Sequence, residues 1–399
     1  MNFLEYVTLN PKVSLEKGKI YPFIEMSDVG TCSRNPINIK YKRFDSGVKF
    51  EDGDTVIARI TPCLQNGKRF YCKDIGKGFG STEYLVFRPR NNSVDNLYLY
   101  YVLSTDFVKE SMVKSMVGAT GRQRVNNEVF SRLEMEFPDI DTQRRIASTL
   151  SAYDELIENN KKQIKLLEEA AQRLYKEWFI DLHFPGHEST QIIDGLPTGW
   201  MANSLDKIGC RLESGSRPKG GIDSSIKNGV PSIGAENVIG LGEYNYSSEK
   251  LISHEFYRMQ KRGKLQDRDI LIYKDGAYIG RTSLFQDGFP YYTASVNEHV
   301  FLLHMQDEAL QYYVFFTLYQ KEYFDKMQKL NTNAAQPGIN SKSLLSLQLI
   351  IPTEDLIKKF NSFVTPVMQS IFSKAKQNKE LQQARERLLP KLMSGEIEV

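Results

Sequence analysis

Two stretches of the chain carry apolar residues that step by three and four positions. In the first, Ile146, Leu150, Tyr153, Ile157, Asn160, Ile164, Leu167, Ala171, Leu174 and Trp178 run without a break and are apolar except at Asn160. That spacing predicts a long helix with a coiled-coil seam. In the second, Phe360, Val364, Val367, Ile371, Lys374, Asn378, Leu381, Arg385, Leu388 and Leu392 repeat the step, and the main polar interruption again falls near the middle. Ahead of each seam the pattern is mixed. Runs such as Asp54-Thr55-Val56-Ile57-Ala58 and Glu83-Tyr84-Leu85-Val86-Phe87 read as strands between Gly-rich turns, and residues 97–116 as an aromatic helix. In the second half residues 233–238 resemble 24–29, residues 269–272 resemble 54–57, Glu298 resembles Glu83, and residues 310–327 are again helical and aromatic.

The chain is therefore written twice. Gly121-Arg122-Gln123-Arg124-Val125-Asn126 leads to Phe137-Pro138 and the first seam, and Ala335-Gln336-Pro337-Gly338-Ile339-Asn340 leads to Ile351-Pro352 and the second. Pro352 lies 214 residues after Pro138, and Asn340 lies 214 after Asn126. A repeat this long is a duplicated domain-plus-helix unit, well outside solenoid periods. Each seam is too narrow to support a lone helix, and a duplicated pair related by a pseudo-twofold axis packs most economically antiparallel. Setting Ile146 against Leu392 puts Asn160 opposite Asn378. Two readings of that pair stand side by side: a hydrogen bond that fixes register, or a solvated gap at a mid-helix bend. Phe184-Pro185-Gly186 breaks the first helix, while Pro366 and Pro390 mark places where the second loses a backbone bond.

Length changes this picture little, since 399 residues fit two domains, each able to bury its own core. A net charge of +3 is uninformative by itself, because a nucleic-acid binder concentrates basic groups on one face. Local clusters do occur at Arg34, Lys40, Lys42 and Arg43, at Arg217 and Lys219, and at Arg258, Lys261, Arg262 and Lys264. Cys32, Cys63, Cys72 and Cys210 form no CxxC pair and have no His at metal spacing, so they read as reduced thiols. The N-terminus has no basic leader and no apolar run approaches bilayer length, which places the chain in the cytoplasm with no membrane partner.

Candidate chemistry is sparse. Gly76-Lys77-Gly78-Phe79-Gly80 lacks the GxxxxGK[ST] spacing of a phosphate loop and reads as a tight turn between strands. There is no FxGxG-like cofactor loop, no Asn/Asp-Pro-Pro-aromatic tetrapeptide and no HExxH, and Pro185 between His183 and His187 denies them a shared helix face. The expectation is no catalytic residue, no metal site and no cofactor.

The motifs resemble those of the specificity (S) subunit of type I restriction-modification systems. They are Phe137-Pro138-Asp139-Ile140-Asp141-Thr142-Gln143-Arg144-Arg145-Ile146-Ala147 at the first helix entry and Arg173-Leu174-Tyr175-Lys176-Glu177-Trp178-Phe179-Ile180-Asp181 at its exit. Leu196-Pro197-Thr198-Gly199-Trp200 opens the second half, and residues 388–397 close the chain. Two departures are visible: nothing at Asn2-Phe3-Leu4-Glu5-Tyr6 matches Gly199-Trp200, and Ile357-Lys358 stands where the first entry has Gln143-Arg144. The resemblance implies an α+β fold, with two duplicated α/β target-recognition domains separated by two long helices packed as an antiparallel coiled coil. Its divisions are a first recognition domain over 1–138, a central spacer helix over 139–183, a second recognition domain over 184–352 and a C-terminal spacer helix over 353–399.

It also implies a non-catalytic subunit that reads a bipartite site on double-stranded DNA. Such a subunit joins two methyltransferase (modification) subunits and assembles with restriction/translocase subunits. Two other readings compete: the specificity subunit of a type II-like enzyme whose partner both cuts and methylates, and a coiled-coil scaffold that binds no DNA. From Ile146 to Trp178 the spacer rises roughly 48 Å, on the order of 10 to 14 base pairs at ~3.4 Å each. Base readout needs Arg, Lys, Asn or Gln at base edges, which nominates Arg59, Thr61, Gln65, Asn66 and Lys68 in the first half. Lys274, Asp275, Tyr278 and Arg281 hold the corresponding place in the second. Arg122 and Arg124 sit in a segment repeated in both halves, which favours a common structural or backbone-contact role over base reading. Tyr175, Trp178 and Phe179 are candidate anchors for the modification subunits, with core packing as the alternative for Trp178.

Overall fold

The two seams form two helices of 40 residues each, Ile140–Phe179 and Glu354–Met393, each about 60 Å long. Asp139 starts the first by accepting the amides of Asp141 and Thr142 at 3.1 and 3.0 Å, as N-cap residues do. Neither Pro366 nor Pro390 ends the second, which stops before Gly395 at φ +73°. The computed structural model describes residues 2–31, 33–276, 278–330 and 338–399. They fold as two compact units, Met1–Ile157 with Glu380–Val399, and Glu158–Lys379.

In the first unit a four-stranded antiparallel sheet runs in the order Val7–Leu9, Tyr84–Pro89, Thr55–Ala58, Arg69–Tyr71. A second sheet orders Lys40–Arg43, Ile20–Ile24, Lys77–Gly80 and Val48–Glu51, with Ile20–Ile24 parallel to Lys77–Gly80. Residues 77–80, expected to be a tight turn, are thus a strand. Their glycines explain it: a Cβ at Gly78 would meet the Phe50 ring at 2.7 Å, and one at Gly80 the Ile24 carbonyl at 2.5 Å. The turn itself falls at Gly76, φ +69°. The aromatic stretch is two helices, Asn96–Val102 and Asp106–Lys114, with Asp95 capping the first. The core joins them to Ile146, Ala147 and Leu150 of the central helix and to Leu392 of the C-terminal one.

The second unit repeats the plan. Its four-stranded sheet runs Cys210–Ser214, Val300–Met305, Ile270–Tyr273, Thr282–Leu284, and its second sheet again holds a parallel pair, Val230–Ile233 with Ser295–Val296. The aromatic helix is again split, into Leu310–Tyr319 and Lys321–Lys329. Here the end of the central helix meets the start of the C-terminal one: the Trp178 and Phe360 rings lie 6.1 Å apart, and Ile164, Val364 and Ile371 are buried in the same core. Within each unit the two helices therefore run antiparallel.

A buried acid anchors each main sheet at the same repeat position. Asp54 accepts the Glu51 amide at 2.8 Å and pairs with Arg88 through two bonds of 2.6 and 2.8 Å. Asp269 accepts the Gln266 amide at 2.7 Å and pairs with Arg211 at 2.8 Å and His304 at 2.9 Å. Both carboxyls are fully buried, and burial pushes both above the ordinary range.

Two expectations about the helices change. Asn160 donates to Gln377 Oε1 at 3.4 Å rather than to Asn378, whose own Oδ1 is buried with no hydrogen-bond partner among the described residues. Gln377, one position earlier and one methylene longer, is itself exposed and reaches in to Asn160 from the edge of the helix pair. Tyr175, Trp178 and Phe179, nominated as partner anchors, are 4, 6 and 8% exposed and lie in the second unit's core. The Tyr175 hydroxyl sits 2.8 Å from Thr317 Oγ1, and the Phe179 and Tyr313 rings are 4.9 Å apart. The intervening Lys176 and Glu177 face outward, so these aromatics hold the head to the helix and offer no surface for an anchor.

Candidate nucleic-acid interface

In the first unit three loops meet at one end of the main sheet. The Arg59 amide donates to the Glu83 carbonyl and the Val125 amide to the Arg59 carbonyl, both at 2.9 Å, and an isolated bridge joins Ile60 to Arg124. Thr61 clamps the same junction. Its amide donates to the Gln123 carbonyl at 2.9 Å, and its Oγ1 accepts the Gln123 amide at 3.0 Å. After it the chain makes one tight turn, with the Leu64 amide on the Ile60 carbonyl and the Lys68 amide on the Cys63 carbonyl, both at 3.0 Å. Leu64 points into the core, which leaves Gln65 and Asn66 exposed at the tip.

The five residues nominated here separate by environment. Gln65 and Asn66 are available. Thr61 is buried in the clamp, Arg59 Nη2 is folded onto the Val125 carbonyl at 3.1 Å, and Lys68 Nζ is held by the Met26 carbonyl at 2.7 Å. The two arginines of the repeated segment also differ. Arg124 is locked to Glu83 by bonds of 2.7 to 3.0 Å, and this holds the Glu83 carboxyl below its usual range. Arg122 is exposed and makes no side-chain hydrogen bond or ion pair among the described residues.

The second unit builds the same junction. The Lys274 amide donates to the His299 carbonyl at 2.9 Å, the Ile339 amide to the Lys274 carbonyl at 3.0 Å, and a bridge joins Asp275 to Gly338. Asp275 and Gly338 are the repeat equivalents of Ile60 and Arg124. Main-chain geometry is thus preserved while the side chains change. Asp275 Oδ2 lies 2.8 Å from His299 Nδ1, and Lys274 Nζ donates to the Glu298 carbonyl at 3.2 Å. Glu298 matches Glu83, but with Gly338 in place of the arginine it pairs instead with Arg217 at 2.7 Å. Tyr278 is 53% exposed and carries the Arg281 guanidinium 4.0 Å over its ring, a cation–π arrangement. Gln336 and Pro337 lie outside the described residues.

The sequence reading missed the acidic brace at Glu83 and Glu298. Their match in the repeat was visible, but each partner lies 41 or 81 residues away and differs between halves. Among the described residues no three of His, Cys, Asp and Glu are gathered to hold a metal ion, and no helix is long and apolar enough to cross a membrane.

The two junctions share one main-chain frame and carry unlike, partly basic tips. Comparisons with known proteins show what the chain is similar to. Residues 7–169 match the model described as the type I restriction modification DNA specificity domain. The chain is 27% identical to the type I restriction enzyme MjaIX specificity subunit of Methanocaldococcus jannaschii, over 78% of this chain and 71% of that protein. It is 21% identical to the HindI specificity subunit of Haemophilus influenzae, over 94% and 95% of the two chains. Its fold is shared with the crystal structure of a type I restriction-modification S subunit from M. genitalium, at a TM-score of 0.55 and 16% identity, covering 98% of this chain and 95% of that one. By these likenesses the chain resembles the specificity subunits of type I restriction-modification systems.

Proposed function

We propose that this chain supplies DNA sequence specificity to a type I restriction-modification complex without itself cutting or methylating. Each unit addresses one half of a bipartite duplex target through its three-loop junction. The observation that carries this reading is the duplicated bridge, Ile60–Arg124 in one unit and Asp275–Gly338 in the other, with unlike side chains at each tip. A common frame with unlike tips suits two unlike half-sites.

Gln65 and Asn66 offer amide donors and acceptors of the kind that pair with adenine, and Arg122 a phosphate contact. In the second unit the Tyr278–Arg281 pair and the carboxylate of Asp275 face the corresponding surface, the latter able to accept from a cytosine amino group. Arg59, Thr61, Lys68, Arg124 and Lys274 shape the junctions. The long helices set the gap between half-sites and carry two modification subunits, to which restriction/translocase subunits add. The test is methylome sequencing of a host carrying the wild-type system or a Q65A/N66A variant. Relaxed or lost methylation at one half-site, with the other half-site and the gap unchanged, is expected; an unchanged motif overturns the assignment.

A further inference from the structure

Where the first unit's head meets the helix pair, three polar residues are buried together. Asp154 of the central helix pairs with Arg385 of the C-terminal helix and accepts the Tyr101 hydroxyl at 2.6 Å. They are 3, 7 and 2% exposed. The 214-residue repeat maps Asp154 onto Met368, Arg385 onto Ala171 and Tyr101 onto Phe315. All three of those are apolar and at most 2% exposed in the second unit's core.

Each long helix therefore carries one charged and one apolar member of the same repeat position. The central helix has Asp154 and Ala171, and the C-terminal helix has Met368 and Arg385. Antiparallel pairing of one helix of each kind sets Asp154 against Arg385 and Ala171 against Met368. Two central helices from two copies would instead set each Asp154 against an Ala171, burying two carboxylates with no cation from the partner helix. Two C-terminal helices would bury two guanidiniums against methionine. A charge buried without its partner is far more costly than the same charge paired, and polar seam residues are known to select partner and register in this way.

We propose that the Asp154–Arg385–Tyr101 cluster is a pairing-specificity device. It makes the two repeat-related helices non-interchangeable and disfavours homotypic association with a second copy of this chain. The duplicated seams otherwise invite that association, since the two helices repeat the same three-and-four spacing of seam positions. A domain-exchanged dimer, in which unlike helices pair between copies, keeps the ion pair and is not opposed by the device.

The experiment uses the full chain in two differently sized tagged forms, coexpressed, captured through one tag and scored for the other. Wild-type mixing measures the domain-exchanged background. The variant Y101F/D154M/R385A makes the first unit's end match the second, and A171R/F315Y/M368D does the reverse; either symmetrisation lets like helices pair without an orphaned charge. At least tenfold more mixed species than wild type is expected for each variant that keeps its helical circular dichroism. Cysteine crosslinks at Lys162 are expected to join two central helices in those variants only. If a folded variant of either kind mixes no more than twice the wild-type level, or if wild type already forms the Lys162 crosslink, the proposal is overturned. A variant that loses its helical signal is replaced by the reciprocal one. D154R/R385D, which restores a matched pair between unlike helices, is expected to stay at the wild-type level.

Discussion

Arg122 and Arg124 stand two residues apart in the segment copied between the halves, yet the structure assigns them opposite electrostatic fates. Arg124 is neutralised by Glu83 through Nε and Nη2 at 2.7 to 3.0 Å, whereas Arg122 points outward with no ion pair among the described residues. A cation that replaces a condensed counterion on duplex DNA contributes ~0.9 to the slope of log K against log salt. Over a fourfold change, from about 50 to 200 mM, that is roughly half a log unit, or about 3.5-fold in affinity per contact. Arg122→Ala is therefore expected to flatten the slope by ~0.9. Arg124→Ala should leave it within about a third of that, because the charge removed was already paired. Glu83→Gln should steepen it by ~0.9 as Arg124 is released toward phosphate. The assay is fluorescence anisotropy of a labelled cognate duplex titrated with the assembled modification complex at several salt concentrations. Equal flattening by both arginine variants, together with no response to Glu83→Gln, would refute the partition of charge that the geometry describes.

Trp178→Ala, which empties a core site at 6% exposure, is expected to cost ~3–5 kcal/mol of stability. Chemical denaturation measures it, and a loss under about 1 kcal/mol would return Trp178 to the surface role first considered. Hydrogen bonding to Arg124 depresses the Glu83 carboxyl from its ordinary 4.5, so its stabilisation is complete above that value and lost as pH falls through the depressed one. The stability difference between wild type and Glu83→Gln, followed by acid titration of thermal melts, should shrink in that direction; a gap that grows toward low pH contradicts the pairing. Deleting one heptad from each long helix removes ~10 Å of rise. It should shorten the gap in a binding-site selection by about three base pairs or abolish binding, and an unaltered gap preference rejects the helices as a ruler.

The helices were legible because a long seam needs no tertiary information. Its spacing depends on backbone geometry alone, and the antiparallel sense followed from the repeat. The strands at Asp54 and Asp269 were legible for a related reason, since each opens an apolar run at the same place in the copy. What escaped was decided by neighbours remote in sequence. Whether Arg124 is a reader or a strut depends on Glu83 folding opposite it, and whether Trp178 is an anchor or core depends on Phe360 and Phe363 covering it. The glycines of residues 76–80 look like a turn until the close approach of Pro22 and Ile24 is known. The one-residue change from Asn378 to Gln377 reflects side-chain reach, which periodicity does not encode.

The bridge at the centre of each junction is fastened by main-chain amides and carbonyls, with side chains such as Thr61 and Lys274 adding to it from one side. A fastening of that kind is indifferent to what the loop tips carry. Substitution at the exposed tips, Gln65 and Asn66 in one unit and Tyr278 in the other, can therefore change the surface each unit presents without disturbing the bridge beneath it. Frame and tips are thus separate inheritances: a change in one leaves the other as it was.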